Sequence, residues 1–154
     1  MGTYINPGNL AFKRIDGPDY VDMTGLIRLI NERVGGAESL ICVSRPRRFG
    51  KSYAAKMLTA YYDCSCDSHD LFDKKIISRT KAYEEHLNKY NVVYLEITSF
   101  VSSARRRGIS LREVPNMIVD ALHADLVQMY PELCSENNLT EMFIRCVENE
   151  NGKQ

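Results

Sequence analysis

The feature that most constrains this chain is the junction between an apolar run and an amphipathic stretch. Residues 39–44 are Ser-Leu-Ile-Cys-Val-Ser, a run of strand length in which apolar and polar side chains do not alternate. Such a run is typical of a strand covered on both faces, as in a parallel sheet. From Lys51 to about Tyr62 the apolar side chains recur at helical spacing, which predicts a helix. The residues in between therefore connect a predicted strand to a predicted helix.

Residues 45–52 form this connection, and we call them the phosphate loop. Their sequence, Arg-Pro-Arg-Arg-Phe-Gly-Lys-Ser, ends in the Gly-Lys-Ser of the pattern G-x-x-x-x-G-K-[S/T]. That pattern requires a strand before it and a helix after it, and the sequence predicts both. Arg45 occupies the position of the first glycine, so the match is partial. The alternative interpretation is a solvated basic loop without a ligand.

Each residue type in the phosphate loop has a chemical reason. Backbone N–H groups that converge at a helix N-terminus bind phosphate oxygens, and Gly50 lets the chain approach them without a Cβ. Lys51, the candidate catalytic residue, brings a positive charge to the β- and γ-phosphates, and the Ser52 hydroxyl is the candidate ligand of Mg²⁺. The candidate ATP-binding residues are Arg45, Pro46, Arg47, Arg48, Phe49, Gly50, Lys51, Ser52 and Tyr53.

The rest of the chain predicts one more strand, three more helices and a helix-prone stretch, in one or two pieces, at residues 70–90. The strand is residues 92–98, and the helices are residues 26–34, 110–129 and 139–148. Strands separated by helices predict an α/β fold of the P-loop NTPase type, a parallel sheet flanked by helices. Two strands are few for a sheet, so we expect it to be incomplete at the C-terminus.

The predicted elements suggest how one domain is organised along the chain. Residues 1–38 are expected to form an N-terminal extension and a helix, and residues 39–154 a βαβ core that carries the phosphate loop. Together they would form the N-terminal part of a P-loop ATPase domain. A chain of 154 residues is long enough to bury a core of this kind.

Composition argues for an ordinary domain of the cytoplasm. Lys plus Arg and Asp plus Glu are equal at 20 each, so no net charge draws the chain to nucleic acid or to a membrane. No apolar run approaches the roughly 20 residues that span a bilayer, and the N-terminus lacks the features of a signal peptide. Five cysteines, an odd number, favour reduced thiols, and we expect Cys42 and Cys146 to be buried.

The phosphate loop also resembles that of a known family. Arg-Pro-Arg-Arg-Phe-Gly-Lys-Ser after an apolar run is similar to the loop of the AAA-ATPase-like family of prokaryotic P-loop proteins. Residues 21–24, Val-Asp-Met-Thr, are similar to that family's Val-Asp-Lys-Thr segment, with Met23 in place of lysine. The strand predicted at residues 92–98 is similar to a strand of the family. The resemblance therefore spans about residues 4–97.

This resemblance implies a domain that binds ATP and Mg²⁺ through residues 45–52, with Lys51 on phosphate and Ser52 on magnesium. In the family, an acidic Walker B strand follows a helix like the one predicted at residues 139–148. The sequence ends where that strand would begin, so we expect this chain to bind ATP and to hydrolyse it weakly or not at all, whereas the full-length form would be a Mg²⁺-dependent ATPase. The expected partners are a second copy of the chain or a C-terminal nuclease-type domain of the PD-(D/E)XK kind in the parent protein.

Three other patterns allow further hypotheses. Glu96 follows an apolar run and is an alternative candidate for the Walker B carboxylate. Cys64, Cys66 and His69 do not have common zinc spacings, which favours a polar loop over a metal site. The basic triplet at residues 105–107 is a solvated surface, an arginine finger or a contact for nucleic acid. The alternative function is therefore a non-hydrolysing module that binds nucleic acid or an acidic partner through its arginines.

Overall fold

Every regular element in the described part of the chain is helical. The computed structural model describes residues 2–44, 46, 49–136 and 138–151. Arg45, Arg47 and Arg48 of the phosphate loop therefore lie outside the described residues. The chain divides into two units. The central unit is Asn6–Val92, and the terminal unit combines Met1–Ile5 with Val93–Gln154.

The two units differ in the length of their helices. The central unit contains α1 (Leu10–Lys13), α2 (Gly25–Asn31), α3 (Lys51–Tyr62), α4 (His69–Phe72), a 3₁₀ turn at Ile76–Arg79 and α5 (Tyr83–His86). The terminal unit contains α6 (Ile97–Arg106), a 3₁₀ turn at Leu111–Glu113, α7 (Val114–Met129), a second turn at Pro131–Leu133 and α8 (Leu139–Asn151). Among the described residues, no helix combines the length and the apolar character that crossing a bilayer requires.

The helices predicted from apolar spacing are confirmed. α3 has the predicted bounds, whereas α2 ends before Val34. α7 begins at Val114 rather than at Ser110, because a 3₁₀ turn occupies the first residues of the predicted helix. The Ser110 hydroxyl accepts a hydrogen bond from the amide of Arg112 at 3.3 Å, so it caps that turn. α8 extends the last predicted helix by one turn, and Cys146 on it is buried as expected.

The predicted parallel sheet flanked by helices is wrong, because the described residues form no sheet. Residues 39–44 are not a strand, and no described residue pairs with them. Leu40 is 97% exposed, and Cys42 is exposed rather than buried. A strand of this composition is stabilised by ladder hydrogen bonds and by cover on both faces. The apolar run has neither, so its composition does not determine its structure.

The second predicted strand is also wrong. Val93 makes a single antiparallel bridge with Ile5, and Ile97 already begins α6. The helix forms because apolar residues recur at helical spacing from Ile97 onward, and Phe100 and Ala104 on this face are buried. The parallel bridge between Asp63 and Tyr90 in the central unit is equally isolated.

The core of the central unit is built around α3. Met57, Ala60 and Tyr61 are fully buried on one side of this helix. They pack with residues from the other short elements of the unit, namely Phe12, Ile27, Phe72, Ile77, Tyr83 and Leu87. Burying each large apolar side chain stabilises the fold by about 1.5–3 kcal/mol. The core therefore fixes α3, and with it the first turn that follows the phosphate loop.

A buried carboxylate organises the terminal unit. Asp125 on α7 is 5% exposed, and its Oδ2 accepts hydrogen bonds from the amides of Tyr4 at 2.6 Å and Ile5 at 3.0 Å. A Cβ on Gly2 would lie 2.6 Å from the same oxygen, so only glycine fits there. The N-terminal segment is thus attached to α7 through one side chain.

Candidate functional site at the first turn of α3

Gly50 connects the phosphate loop to α3 through a left-handed backbone. It precedes the helix with φ 73° and ψ 17°, and its carbonyl accepts a hydrogen bond from the amide of Ala54 at 2.9 Å. Non-glycine residues rarely adopt this conformation, because their Cβ crowds the following carbonyl. The glycine therefore allows the chain to turn directly into the helix.

Lys51 is the first residue of α3, and its side chain folds back over the phosphate loop. Its Nζ donates a hydrogen bond to the carbonyl oxygen of Pro46 at 3.0 Å, in an exposed position. This contact holds the ammonium group beside the loop backbone. An anion that approaches the loop would therefore meet a positive charge already in place.

The first turn of α3 carries no side-chain cap among the described residues. The first amides of an α-helix have no partner within the helix, and they point along its axis together with the positive end of the helix dipole. Ser52 and Tyr53 are exposed on this turn, with Tyr53 exposed by 48%. The geometry thus offers backbone donors, a hydroxyl group and an ammonium group at one helix end.

Asp22 and Thr24 form a hydrogen-bonded clamp at the start of α2. Asp22 Oδ1 accepts from the Thr24 hydroxyl at 2.7 Å and from the Thr24 amide at 2.8 Å. Its Oδ2 accepts from the amide of Ile76 at 2.8 Å. The Thr24 hydroxyl, fully buried, accepts in turn from the amide of Ile77 at 3.2 Å. Two side chains therefore join the start of α2 to the turn at Ile76–Arg79.

The electrostatics of this clamp favour a charged carboxylate. Partial burial acts to raise the pKa of Asp22, but the hydrogen bonds from Thr24 and Ile76 and the nearby charge of Lys75 outweigh it. The net effect lowers the pKa of Asp22 below its usual value. Asp22 is therefore ionised at neutral pH, and both of its oxygens are engaged.

A cavity of about 320 Å³ lies between α2 and the first turn of α3. We call it the α2–α3 cavity. Gly50 and Lys51 form one side of it, so it adjoins the candidate phosphate site. Most of its wall is apolar and comes from Met23, Leu26, Leu29, Val43, Phe49 and Ile76. Its volume lies at the lower end of the range that is usual for small-molecule sites.

A second cavity of about 660 Å³ adjoins Gly50 in the central unit. We call it the aromatic cavity, because Tyr20, Phe49 and Tyr53 contribute to its wall. Arg14 and Asp19 also reach it, which makes it more polar than the α2–α3 cavity. Lys51 is not among its lining residues, so its connection to the candidate phosphate site is less direct.

The residues around Cys64 serve the local fold. Cys66 Sγ lies 3.6 Å from the carbonyl oxygen of Asp63, whereas His69 lies between Asp67 and Glu84, with nitrogen–oxygen distances of 2.8 Å and 3.2 Å. Within the described ranges, no three His, Cys, Asp or Glu side chains are placed to share a metal ion. The structure thus places Cys66 and His69 in different local networks.

The basic triplet lies at the end of α6 in the terminal unit. Arg106 and Arg107 contribute to the wall of a cavity of about 580 Å³, which we call the arginine cavity. Glu113 and Asp120 lie in the same wall, so charges of both signs are present.

Glu96, the alternative acidic candidate, immediately precedes α6, and the strand on which the Walker B hypothesis placed it is absent from the described residues.

Sequence reasoning missed the clamp at Asp22 and Thr24. The signal was present in the family resemblance of residues 21–24, but the partners at Ile76 and Ile77 are more than fifty positions away.

Comparison with protein-family models matches residues 9–154 to a family described as predicted AAA-ATPase. The matched range includes both the clamp and the phosphate loop. Comparison with curated proteins and with solved structures gives no match.

Proposed function

Since the chain belongs to the predicted AAA-ATPase family, we propose that residues 45–52 and Tyr53 bind the triphosphate of ATP. The observation that carries this proposal is the arrangement at Gly50. A left-handed glycine leads into an uncapped helix end, and Lys51 lies at the same turn beside an open cavity. Backbone donors, a helix dipole and a compact cation at one point are what a chain of phosphates requires.

The proposed roles follow from the chemistry of each group. The Lys51 ammonium exchanges the Pro46 carbonyl for a phosphate oxygen, which is a stronger acceptor because it is charged. The first amides of α3 donate to the remaining oxygens. Arg45, Arg47 and Arg48 add positive charge along the loop sequence. The binding energy is therefore mainly electrostatic.

Ser52 is the residue that would hold a divalent cation. Its side chain is exposed, and its hydroxyl has no hydrogen-bond partner among the described residues. A hydroxyl oxygen suits Mg²⁺, which keeps several waters and binds few protein ligands. When bound, the ion neutralises charge on the β- and γ-phosphate oxygens.

We further propose that this chain binds ATP more readily than it hydrolyses it. Attack on the γ-phosphate requires a group that orients the water molecule. Among the described residues that line the α2–α3 cavity, Asp22 is the only carboxylate. Both of its oxygens accept hydrogen bonds from Thr24 and Ile76, so it is not available as a base. We expect turnover to be weak or undetectable.

The test is calorimetric titration of Mg-ATP into the wild-type chain and into Lys51→Ala. Loss of the ammonium group should weaken binding by roughly tenfold to a hundredfold, because a charge-assisted hydrogen bond contributes ~1.5–3 kcal/mol. Lys56→Ala is the matched control, since it removes the same charge five residues further along α3 and should leave the affinity unchanged. Equal affinity in the wild type and Lys51→Ala would refute the phosphate assignment.

A second candidate function is the binding of nucleic acid or of an acidic partner through the arginines. It is favoured by the exposure of Arg106 and Arg107 and by the absence of an ion-pair partner for either among the described residues. Glu113 and Asp120 in the same wall oppose it. The affinity for a DNA duplex, measured by fluorescence anisotropy, should then fall steeply as the salt concentration rises and should not change when ATP is added. A flat salt response would reject this candidate.

A further inference from the structure

The arginine cavity lies within the terminal unit, where its wall combines residues of α6 with residues of the first turns of α7. Its volume of about 580 Å³ lies within the usual range for small-molecule sites. It shares no lining residue with the α2–α3 cavity or with the aromatic cavity. A ligand of the arginine cavity would therefore be additional to the nucleotide.

Charges of opposite sign line this cavity without pairing. Arg106 and Arg107 lie at the end of α6, whereas Glu113 and Asp120 come from the 3₁₀ turn and from α7. All four side chains are exposed, and none of them forms an ion pair among the described residues. Glu113 Oε2 instead accepts a hydrogen bond from Asn116 Nδ2 at 2.9 Å. Since the two sets of charges do not neutralise each other, both remain available to a ligand that carries both signs.

The rest of the wall is partly apolar and partly polar. Phe100 is 7% exposed and packs against Tyr4, with the ring centroids 5.3 Å apart, and Met117 lies in the same wall. The hydroxyl groups of Ser99 and Ser103 also line the cavity and have no hydrogen-bond partner in the part of the chain that the structure describes. The wall therefore suits a ligand with an apolar group and with polar groups between its charged ends.

We propose that the arginine cavity binds a short peptide with free termini. The terminal carboxylate lies at Arg106 and Arg107, because a guanidinium group matches the geometry of a carboxylate. The terminal ammonium group lies at Asp120, an apolar side chain packs on Phe100, and the hydroxyl groups of α6 bond to the peptide main chain. A nucleic acid strand has no cationic group for Asp120, so the mixed charge of the wall favours a peptide.

The test uses the tripeptide Ala-Leu-Ala and two capped forms of it. Acetyl-Ala-Leu-Ala lacks the ammonium group, and the C-terminal amide lacks the carboxylate. Three residues separate the two termini by up to about 10 Å. Each peptide is titrated into the full chain, and NMR follows the methyl groups of Met117 and Ile109, which line the cavity. Ile144, 52% exposed on α8 and outside the wall, is the reference methyl. Each cap should weaken binding by about fivefold.

Charge-removing variants identify which end of the peptide each side chain binds. Arg107→Gln should weaken the free tripeptide by about fivefold and leave the affinity of the amide unchanged, because the amide has no carboxylate. Asp120→Asn should weaken the free tripeptide and the amide, and it should leave the affinity of the acetylated form unchanged. A purely structural role of either side chain would change all three affinities alike.

Matched controls remove the same charges outside the wall. Arg105 belongs to the same basic triplet, and Glu132 is an exposed carboxylate of the terminal unit. Neither residue lines the arginine cavity, so Arg105→Gln and Glu132→Gln should leave all three affinities at the wild-type value. Urea unfolding curves check that each variant is folded.

The outcomes decide between a peptide and the other ligands. If the acetylated form binds as tightly as the free tripeptide, the cavity needs only an anion, which favours an acidic partner and overturns the proposal. Equal losses for all three peptides in Arg107→Gln or Asp120→Asn would also overturn it, and so would methyl signals that no peptide shifts. None of these results bears on ATP binding, which Lys51→Ala tests separately.

Discussion

The side chain of Met23 lies 3.7 Å from the point that a Cβ on Gly50 would occupy. This is an ordinary van der Waals distance, and it means that Met23 supports the glycine without excluding a methyl group there. Met23 lies between Asp22 and Thr24, the two residues of the clamp. The backbone geometry of the phosphate loop is therefore linked by packing to hydrogen bonds at the start of α2.

Gly50→Ala should destabilise the chain through its backbone and not through a clash. Alanine in a left-handed conformation costs about 1–2 kcal/mol, and the φ of 73° at Gly50 lies in that region. Urea unfolding should report this loss. Gly50→Asn should cost less, because asparagine tolerates the conformation better.

A double variant separates backbone strain from crowding at this position. Adding Met23→Ala to Gly50→Ala removes the nearest side-chain atoms. If strain in the backbone dominates, the double variant is not more stable than Gly50→Ala alone. Rescue by Met23→Ala would instead show that the methyl group and Met23 compete for space.

Loss of the clamp should reduce the free energy of unfolding. Asp22→Ala leaves the amide of Ile76 and the Thr24 hydroxyl without their acceptor, which costs about 1–3 kcal/mol. Thr24→Val keeps the shape and leaves the buried amide of Ile77 unsatisfied. Because the two side chains share one network, a double-mutant cycle in urea should give a coupling energy of about 0.5–3 kcal/mol. Strictly additive losses would argue against a joint clamp.

Asp125→Ala should destabilise the terminal unit. The substitution removes the acceptor for the amides of Tyr4 and Ile5 in a buried position, at a cost of about 1–3 kcal/mol. Asp120→Ala on the same helix is the control, since Asp120 is exposed and its loss should change stability little. Hydrogen exchange should show faster exchange at Tyr4 and Ile5 in Asp125→Ala. Unchanged protection at these amides would refute the assignment.

His69 should titrate above its ordinary range. The hydrogen bond with Asp67, followed by that with Glu84, raises the pKa of His69. Since the folded-state pKa is raised, the stabilisation is present below the unfolded-state value of about 6.5. It is lost as pH rises through the folded-state value.

The check is an NMR titration of the His69 ring in three chains. The pKa of His69 should fall toward its ordinary value in Asp67→Asn and in Glu84→Gln, and the fall should be larger in Asp67→Asn. An identical titration curve in all three chains would mean that the two carboxylates do not act on the ring.

Local sequence patterns predicted the positions of helices better than they predicted a sheet. The helical spacing from Lys51 onward predicted α3 with its bounds, because this helix also buries the face that the pattern indicates. The strands at residues 39–44 and 92–98 were wrong, since a strand exists only when another segment pairs with it. Composition indicates that a segment is apolar. It does not indicate whether another segment of the chain pairs with that segment to form a sheet.

The helix α6 and the clamp were missed for different reasons. α6 was detectable, because Ile97, Phe100 and Ala104 follow helical spacing, but Ile97 had been assigned to a strand. The clamp was not detectable from spacing, because Asp22 and Ile76 meet only in the folded chain. Long-range hydrogen bonds between a side chain and a backbone amide leave no periodic pattern in the sequence.

The division of the chain has a consequence for synthesis on the ribosome. Asn6–Val92 is one uninterrupted stretch, so it has all its own residues as soon as Val92 has emerged from the exit tunnel. The other unit joins residues before this stretch to residues after it, so the amides of Tyr4 and Ile5 have no acceptor until Asp125 has been translated. The segment that carries Lys51 is therefore free to fold while the remainder is still being translated.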